Sequence, residues 1–209
     1  MSLISSLSIL IPLLIGLVCF RTLDKLQKWF LGFIVLSALF EIVVSYTGRH
    51  GIHNVWLFKV FLFVDFVFFI WFVNKVTKYS RWQWIFVALV VFFVFFSEFY
   101  IKRNEPFNSN NSLLFVSFFL FFIIQSSQMI IFTFDDFDTD IRKNYVFWIA
   151  FARLFYFLII VFIYIYPNFI ENGYKITFLN KTNTTINMFA NVLLNLIYGI
   201  SFLCHRKEI

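Results

Sequence analysis

Phe118-Phe119-Leu120-Phe121-Phe122 and, upstream, Phe92-Phe93-Val94-Phe95-Phe96 are apolar on every side. A strand of an outer-membrane barrel alternates lipid-facing and lumen-facing residues over about 10 positions. Neither run alternates, and each sits inside an apolar segment too long for a buried strand. Backbone in hydrocarbon must satisfy its own hydrogen bonds, so both segments are expected to be helices that cross a membrane.

Working outward, segments near the roughly 20 apolar residues needed to span a bilayer occur at 4–20, 29–46, 56–73, 82–100, 113–134, 145–166 and 186–204. The expectation is an all-α, polytopic membrane protein of seven transmembrane helices, one domain over residues 1–209. The longest gap, 167–185, is expected to be a polar loop after Pro167 in which Phe178 and Leu179 at most touch the headgroups. No internal repeat marks an inverted-repeat transporter. Segment 4–20 lacks a basic start and an Ala-x-Ala site, so it is expected to be a helix and not a signal peptide.

Composition agrees. The chain is 61% hydrophobic, 24% aromatic and only 13% charged, with a mean hydropathy of +0.85. Soluble domains are about 25% charged, so most of this surface must face hydrocarbon. The net charge of +6 sits in turns that flank the spans. Lipid headgroups and topology account for it there, and no nucleic acid is expected as a partner. Alternate turns hold Arg21, Lys25, Lys28, Lys75, Lys78, Arg81, Arg142, Lys143, Arg206 and Lys207 on one side, against Arg49, Lys102, Arg103, Lys175 and Lys181 on the other. The positive-inside rule then predicts an outside N-terminus and a cytoplasmic C-terminus in an inner membrane. Cys19 and Cys204 would both end spans on the reducing side, where they read as small hydrophobes rather than a disulfide.

Ionisable groups inside spans are costly and need a partner or a cavity. At 1.5 Å of rise per residue, Asp65 and Arg153 lie at matching depth near the bilayer centre. Opposite charges there are expected to meet. Gln125 and Gln128 in one span, and Asn191 and Asn195 in another, occupy similar depths and are expected to converge on the same polar interior. The bland alternative is that these groups only specify helix packing. Nearer the outer face, Glu41 and Lys59 form a candidate ion pair, or else Lys59 snorkels while Glu41 bonds a neighbouring helix. Glu98 is a further carboxylate within a span.

Phosphate-loop, His-Glu-x-x-His, Cys-x-x-Cys and Gly-x-Ser-x-Gly signatures are all missing, and no catalytic residue, metal or cofactor is expected. His50 and His53 with Glu41 or Glu98 are the candidates for a metal, and with Glu41 for a membrane hydrolase. Asn180-Lys181-Thr182 and Asn183-Thr184-Thr185 match the glycosylation pattern, and the acidic stretch 135–140 reads as a solvated turn. Two further readings remain. One is a non-enzymatic protein that works through a protein partner at its cytoplasmic turns or through self-assembly, with lipids around it. The other is a carrier or channel built on Asp65, Arg153, Gln125, Gln128 and Asn195.

Ile11-Pro12-Leu13-Leu14-Ile15-Gly16-Leu17, Leu36-Ser37-Ala38-Leu39-Phe40-Glu41, Asn54-Val55-Trp56-Leu57-Phe58-Lys59 and the Asn191-Val192-Leu193-Leu194-Asn195 ending resemble small seven-span membrane proteins of Bacteroidota. Where those proteins carry His this chain has Lys59, and where they carry Glu it has Asp65. The resemblance implies topology and no activity. Size and membrane character also resemble the multi-spanning accessory proteins of RNA-targeting CRISPR loci, which would imply a modulator of antiviral defence.

Overall fold

The computed structural model describes residues 3–52, 55–77, 112–135, 140–169 and 176–204. They form α1 (Leu3–Ser8), α2 (Leu10–Val18), α3 (Lys25–Arg49), α4 (Val55–Thr77), α5 (Ser112–Asp135), a 3-10 turn (Ile141–Lys143), α6 (Tyr145–Phe169) and α7 (Ile176–Leu203). Each of α3 to α7 contains a stretch long and apolar enough to cross a membrane. That makes five candidate crossings among the described residues rather than seven. The seven-span architecture, and with it the likeness to seven-span Bacteroidota proteins and to CRISPR accessory proteins, is corrected. Segment 4–20 breaks at Ile9 because Pro12 has no N–H to give the Ser8 carbonyl, and its ring crowds that carbonyl. The apolar helical part, Ser5–Val18, is shorter than a span. The expected span 82–100 lies outside the described residues. So does Glu98.

The long loop expected over 167–185 is corrected as well. Helix α6 continues two residues beyond Pro167, and α7 begins at Ile176, ten residues ahead of the expected start. Polar Asn and Thr residues hide this opening from a hydropathy count, yet they continue the same helix. Asn180 and Asn183 therefore sit on helical backbone and not in a loop. Helix α3 has a clear start: Asp24 Oδ1 accepts from the Gln27 N–H at 2.7 Å while Gln27 Oε1 accepts from the Asp24 N–H at 3.2 Å. This reciprocal capping box satisfies two otherwise orphaned donors.

Neighbouring elements close a ring in the order α3, α4, α5, α6, α7, α2 and back to α3, with α1 against α7. Helix α6 packs most extensively, against α5 on one flank and α7 on the other. Side-chain pairs set the directions. Trp29 meets Trp71 and Phe40 meets Phe58, so α3 and α4 are antiparallel. Asn191 reaches Ser5 and Asn195 reaches Ser8, so α1 and α7 run the same way. One end of the bundle gathers Ser5, Glu41 and Phe58. The other gathers Gln27, Arg142, Trp148 and Cys204. The expected outside N-terminus is withdrawn, because nothing in the bundle distinguishes the two faces of a membrane.

Large apolar side chains cover the outside, including Val18, Ile42, Phe162 and Phe189. Water would make this surface unfavourable, whereas lipid tails suit it. It is the surface of a multi-pass membrane protein.

Two glycines bring α2 against α7. A Cβ on Gly16 would lie 2.5 Å from Leu31 Cδ1 and 3.3 Å from the Phe202 ring, and one on Gly199 would lie 2.9 Å from Ile15 Cδ1. Small residues permit this close approach where no hydrophobic effect drives helices together. Gly16→Val and Gly199→Val are each expected to cost about 1–3 kcal/mol by overpacking. A Cβ on Gly32 meets nothing within 4 Å, so Gly32→Ala is expected to stabilise α3 by about 0.5–1 kcal/mol. Thermal unfolding in detergent reads all three, and effects of equal sign would contradict the close approach.

Candidate functional site

Asp65 sits in the middle of α4, and Arg153 sits eight residues into α6. Arg153 Nη1 and Nη2 donate to Asp65 Oδ1 and Oδ2, both at 2.9 Å. The side chains are 3% and 9% exposed. These helices are not ring neighbours, so the pair reaches across the bundle interior. A bidentate fork matches guanidinium to carboxylate geometrically. Three rings complete the cage: the guanidinium carbon lies 3.8 Å from the Phe69 centroid, 4.5 Å from Phe122 and 5.1 Å from Phe157. Ring faces attract the cation without neutralising it. Tyr198 stands beside the guanidinium from α7. Arg153 Nε has no hydrogen-bond partner among the described residues, which leaves one buried donor on the pair.

The pair forms the floor of a cavity of about 460 Å³, within the usual size range of small-molecule sites. Its wall changes with depth. Glu41, Ser6 and Thr184 line the end where the chain is partly exposed, and Asp65, Arg153, Asn195 and Tyr198 line the buried part. Below the floor, aromatic rings of the described helices pack together. Phe30 lies 5.8 Å from Phe72, 5.0 Å from Tyr198 and 5.7 Å from Phe202, centroid to centroid. Three of these four rings, Phe30, Phe72 and Phe202, are essentially inaccessible. The result is a cavity with an ion pair at its buried part and, among the described residues, packed rings beneath it.

One wall is polar by helical spacing. Asn187, Asn191 and Asn195 recur every four residues on α7, with Tyr198 next in line, and all four line the cavity. Asn191 Nδ2 donates to Ser5 Oγ at 3.0 Å, and Asn195 Nδ2 donates to Ser8 Oγ at 2.7 Å. These bonds hold α1 in place as the side of the cavity. The role of Ser5, Ser6 and Ser8 was not legible in a segment expected to be one greasy crossing. The Asn187-Asn191-Asn195 stripe, by contrast, stands at helical spacing in the sequence itself.

The remaining expected site residues divide. Gln125 is buried and Gln128 half-buried on α5, but neither lines the cavity. Depth along a helix says nothing about the direction a residue faces around it, and the cavity wall is drawn from α1, α3, α4, α6 and α7 with Phe115 and Phe119 of α5. Glu41 accepts from Ser6 Oγ at 2.8 Å, and no ion pair to Lys59 is described. Lys59 is itself buried on α4. His50 Nδ1 is 2.8 Å from the Tyr46 carbonyl and its ring lies against Tyr46, which occupies it at the end of α3. His53 lies outside the described residues. Among the described residues no group of three His, Cys, Asp or Glu side chains is placed to hold a metal. Cys19 and Cys204 are free thiols. Burial pushes the Cys204 thiol up from its ordinary value, partly offset by Trp148, the opposite of an activated nucleophile. Compared with known proteins, the chain matches no family model, no curated protein and no solved structure, so the reading of the cavity rests on its own residues.

Proposed function

We propose that this protein is a carrier for a small polar solute, working in a cytoplasmic-type inner membrane. The observation that supports it is the pocket itself. Polar groups on α1, α3, α4, α6 and α7 line one cavity inside a bundle whose outside is apolar, with packed rings beneath the ion pair. A helix-packing role accounts for hydrogen-bonded pairs such as Asn195 with Ser8. It does not account for a cavity of this size with a buried unpaired donor on Arg153. Carriers bind near the midplane and expose the site to the two faces in turn. Helical spans support an inner membrane over an outer one, whose spanning proteins are closed barrels.

Ser37 tests the reading. It lines the cavity and hydrogen-bonds only its own helix, at the Phe33 carbonyl, so Ser37→Cys barely changes the fold. In proteoliposomes lacking the two native thiols, a membrane-impermeant thiol reagent is expected to label Ser37→Cys quickly from one face and slowly from the other. Ala38→Cys, buried outside the cavity, is expected to stay unlabelled. Labelling from a single face at all times would leave a binding pocket and remove carriage. No labelling from either face would remove the water-accessible cavity.

A further inference from the structure

The cavity contains one carboxylate for which no ion pair is formed among the described residues. Among the described residues that line it, Asp65 and Arg153 cancel, which leaves Glu41. Glu41 accepts a single described hydrogen bond, from the neutral Ser6 hydroxyl. A carboxylate half-buried among apolar groups without a cation is a costly arrangement, and a ligand of opposite charge relieves it. Aromatic side chains line the same cavity. Phe40 lies 4.4 Å from Phe61, stacked, and 6.4 Å from Phe58, edge-on, and all three line the cavity beside Glu41.

The molecule already shows what this combination holds. At the floor a carboxylate, Asp65, and three phenyl rings, Phe69, Phe122 and Phe157, cage the Arg153 guanidinium. Elsewhere in the same cavity a carboxylate, Glu41, and three phenyl rings, Phe40, Phe58 and Phe61, offer the same kinds of group, with no cation among the described lining residues other than Arg153. Resting on the carrier reading, we infer that the solute is a small organic cation, its ammonium group seated against Glu41 and these rings. Ring faces and the carboxylate both repel anions, so an anionic solute is disfavoured twice. A weakly hydrated alkylammonium suits the site better than a metal ion, because rings and one carboxylate replace few of the water molecules a small inorganic cation would lose. The neutral wall of Ser5, Ser37 and Asn191 accommodates the polar remainder of the solute.

Binding to the purified full-length protein in detergent tests this. The probes are choline, phenyltrimethylammonium and dimethylbutanol, the uncharged carbon isostere of choline. Choline is expected to bind about tenfold or more tightly than dimethylbutanol, the scale of a charge contact with ring contributions. Glu41→Gln keeps an oxygen for the Ser6 hydroxyl and is expected to abolish the difference. Phe58→Leu is expected to reduce it several-fold, about the weight of one ring. Equal binding of choline and its isostere would overturn the inference and leave the carrier reading standing. The same holds if neither cation binds while Ser37→Cys is still labelled from water. If Ser37→Cys is not labelled, the carrier reading fails and the choice of solute fails with it.

Discussion

Asp65→Asn and Asp65→Leu are each expected to destabilise the bundle by about 3–5 kcal/mol, the cost of stranding a buried charge. The reason lies in what surrounds Arg153. Its guanidinium is 3% exposed and stays charged in any protein environment. With Asp65 present, both Nη groups are satisfied at 2.9 Å. With Asp65 removed, the rings of Phe69, Phe122 and Phe157 remain, and ring faces cannot accept the fork of donors as a carboxylate does. Arg153→Met is expected to cost a comparable amount by leaving Asp65 alone. The double replacement Asp65→Leu with Arg153→Met is expected to recover most of the loss, since an apolar pair of similar volume pays no desolvation. Thermal unfolding followed by tryptophan fluorescence in detergent separates these cases. Additive losses in the double variant would mean that the two side chains stabilise the bundle independently, against the geometry.

Gln27→Leu is expected to cost about 2–4 kcal/mol through orphaned backbone groups. Gln27 is fully buried and uses every polar atom. Its oxygen accepts from the Asp24 N–H, and its Nε2 donates to the Ser201 carbonyl at 3.0 Å and the Cys204 carbonyl at 2.9 Å. One amide thus caps the start of α3 and the end of α7, tying ring neighbours of α2 together at the closed end. Gln27→Glu is the sharper test. It keeps an oxygen for Asp24 but replaces the donor with a carboxylate facing the negative end of α7. It is expected to be worse than Gln27→Leu, although glutamate is the closer match in shape. Should Gln27→Glu prove the milder of the two, the donor role of Nε2 is wrong.

These two sites differ in how far the sequence betrayed them. Asp65 and Arg153 stand out as charges in apolar runs, and counting residues puts them at one depth. Asp24-x-x-Gln27 is a helix-start signature open to anyone reading for caps, yet the second task of Gln27, at α7, lies 174 residues away in sequence and leaves no local trace. Pro12 was equally visible as the breaker of a supposed first crossing. The early start of α7 was not, because Asn and Thr look like loop when helix is being sought by hydropathy. Gln125 and Gln128 show the limit most clearly. Counting residues gives their depth, but direction around a helix depends on which neighbours it packs against, and the described cavity lining does not include them.

What the chain settled alone was its medium and its helical class. Runs such as Phe118-Phe119-Leu120-Phe121-Phe122 exclude a water-facing surface and demand internally satisfied backbone, and both demands act within a single segment. Which helices touch, and therefore whether the polar groups meet, was decided only by the tertiary structure. Lipid tails are as apolar as the side chains, so no general force orders the helices. The order comes from local fit: Gly16 under Phe202, Gly199 under Ile15, Asn195 on Ser8, and one arginine long enough to cross the ring to Asp65.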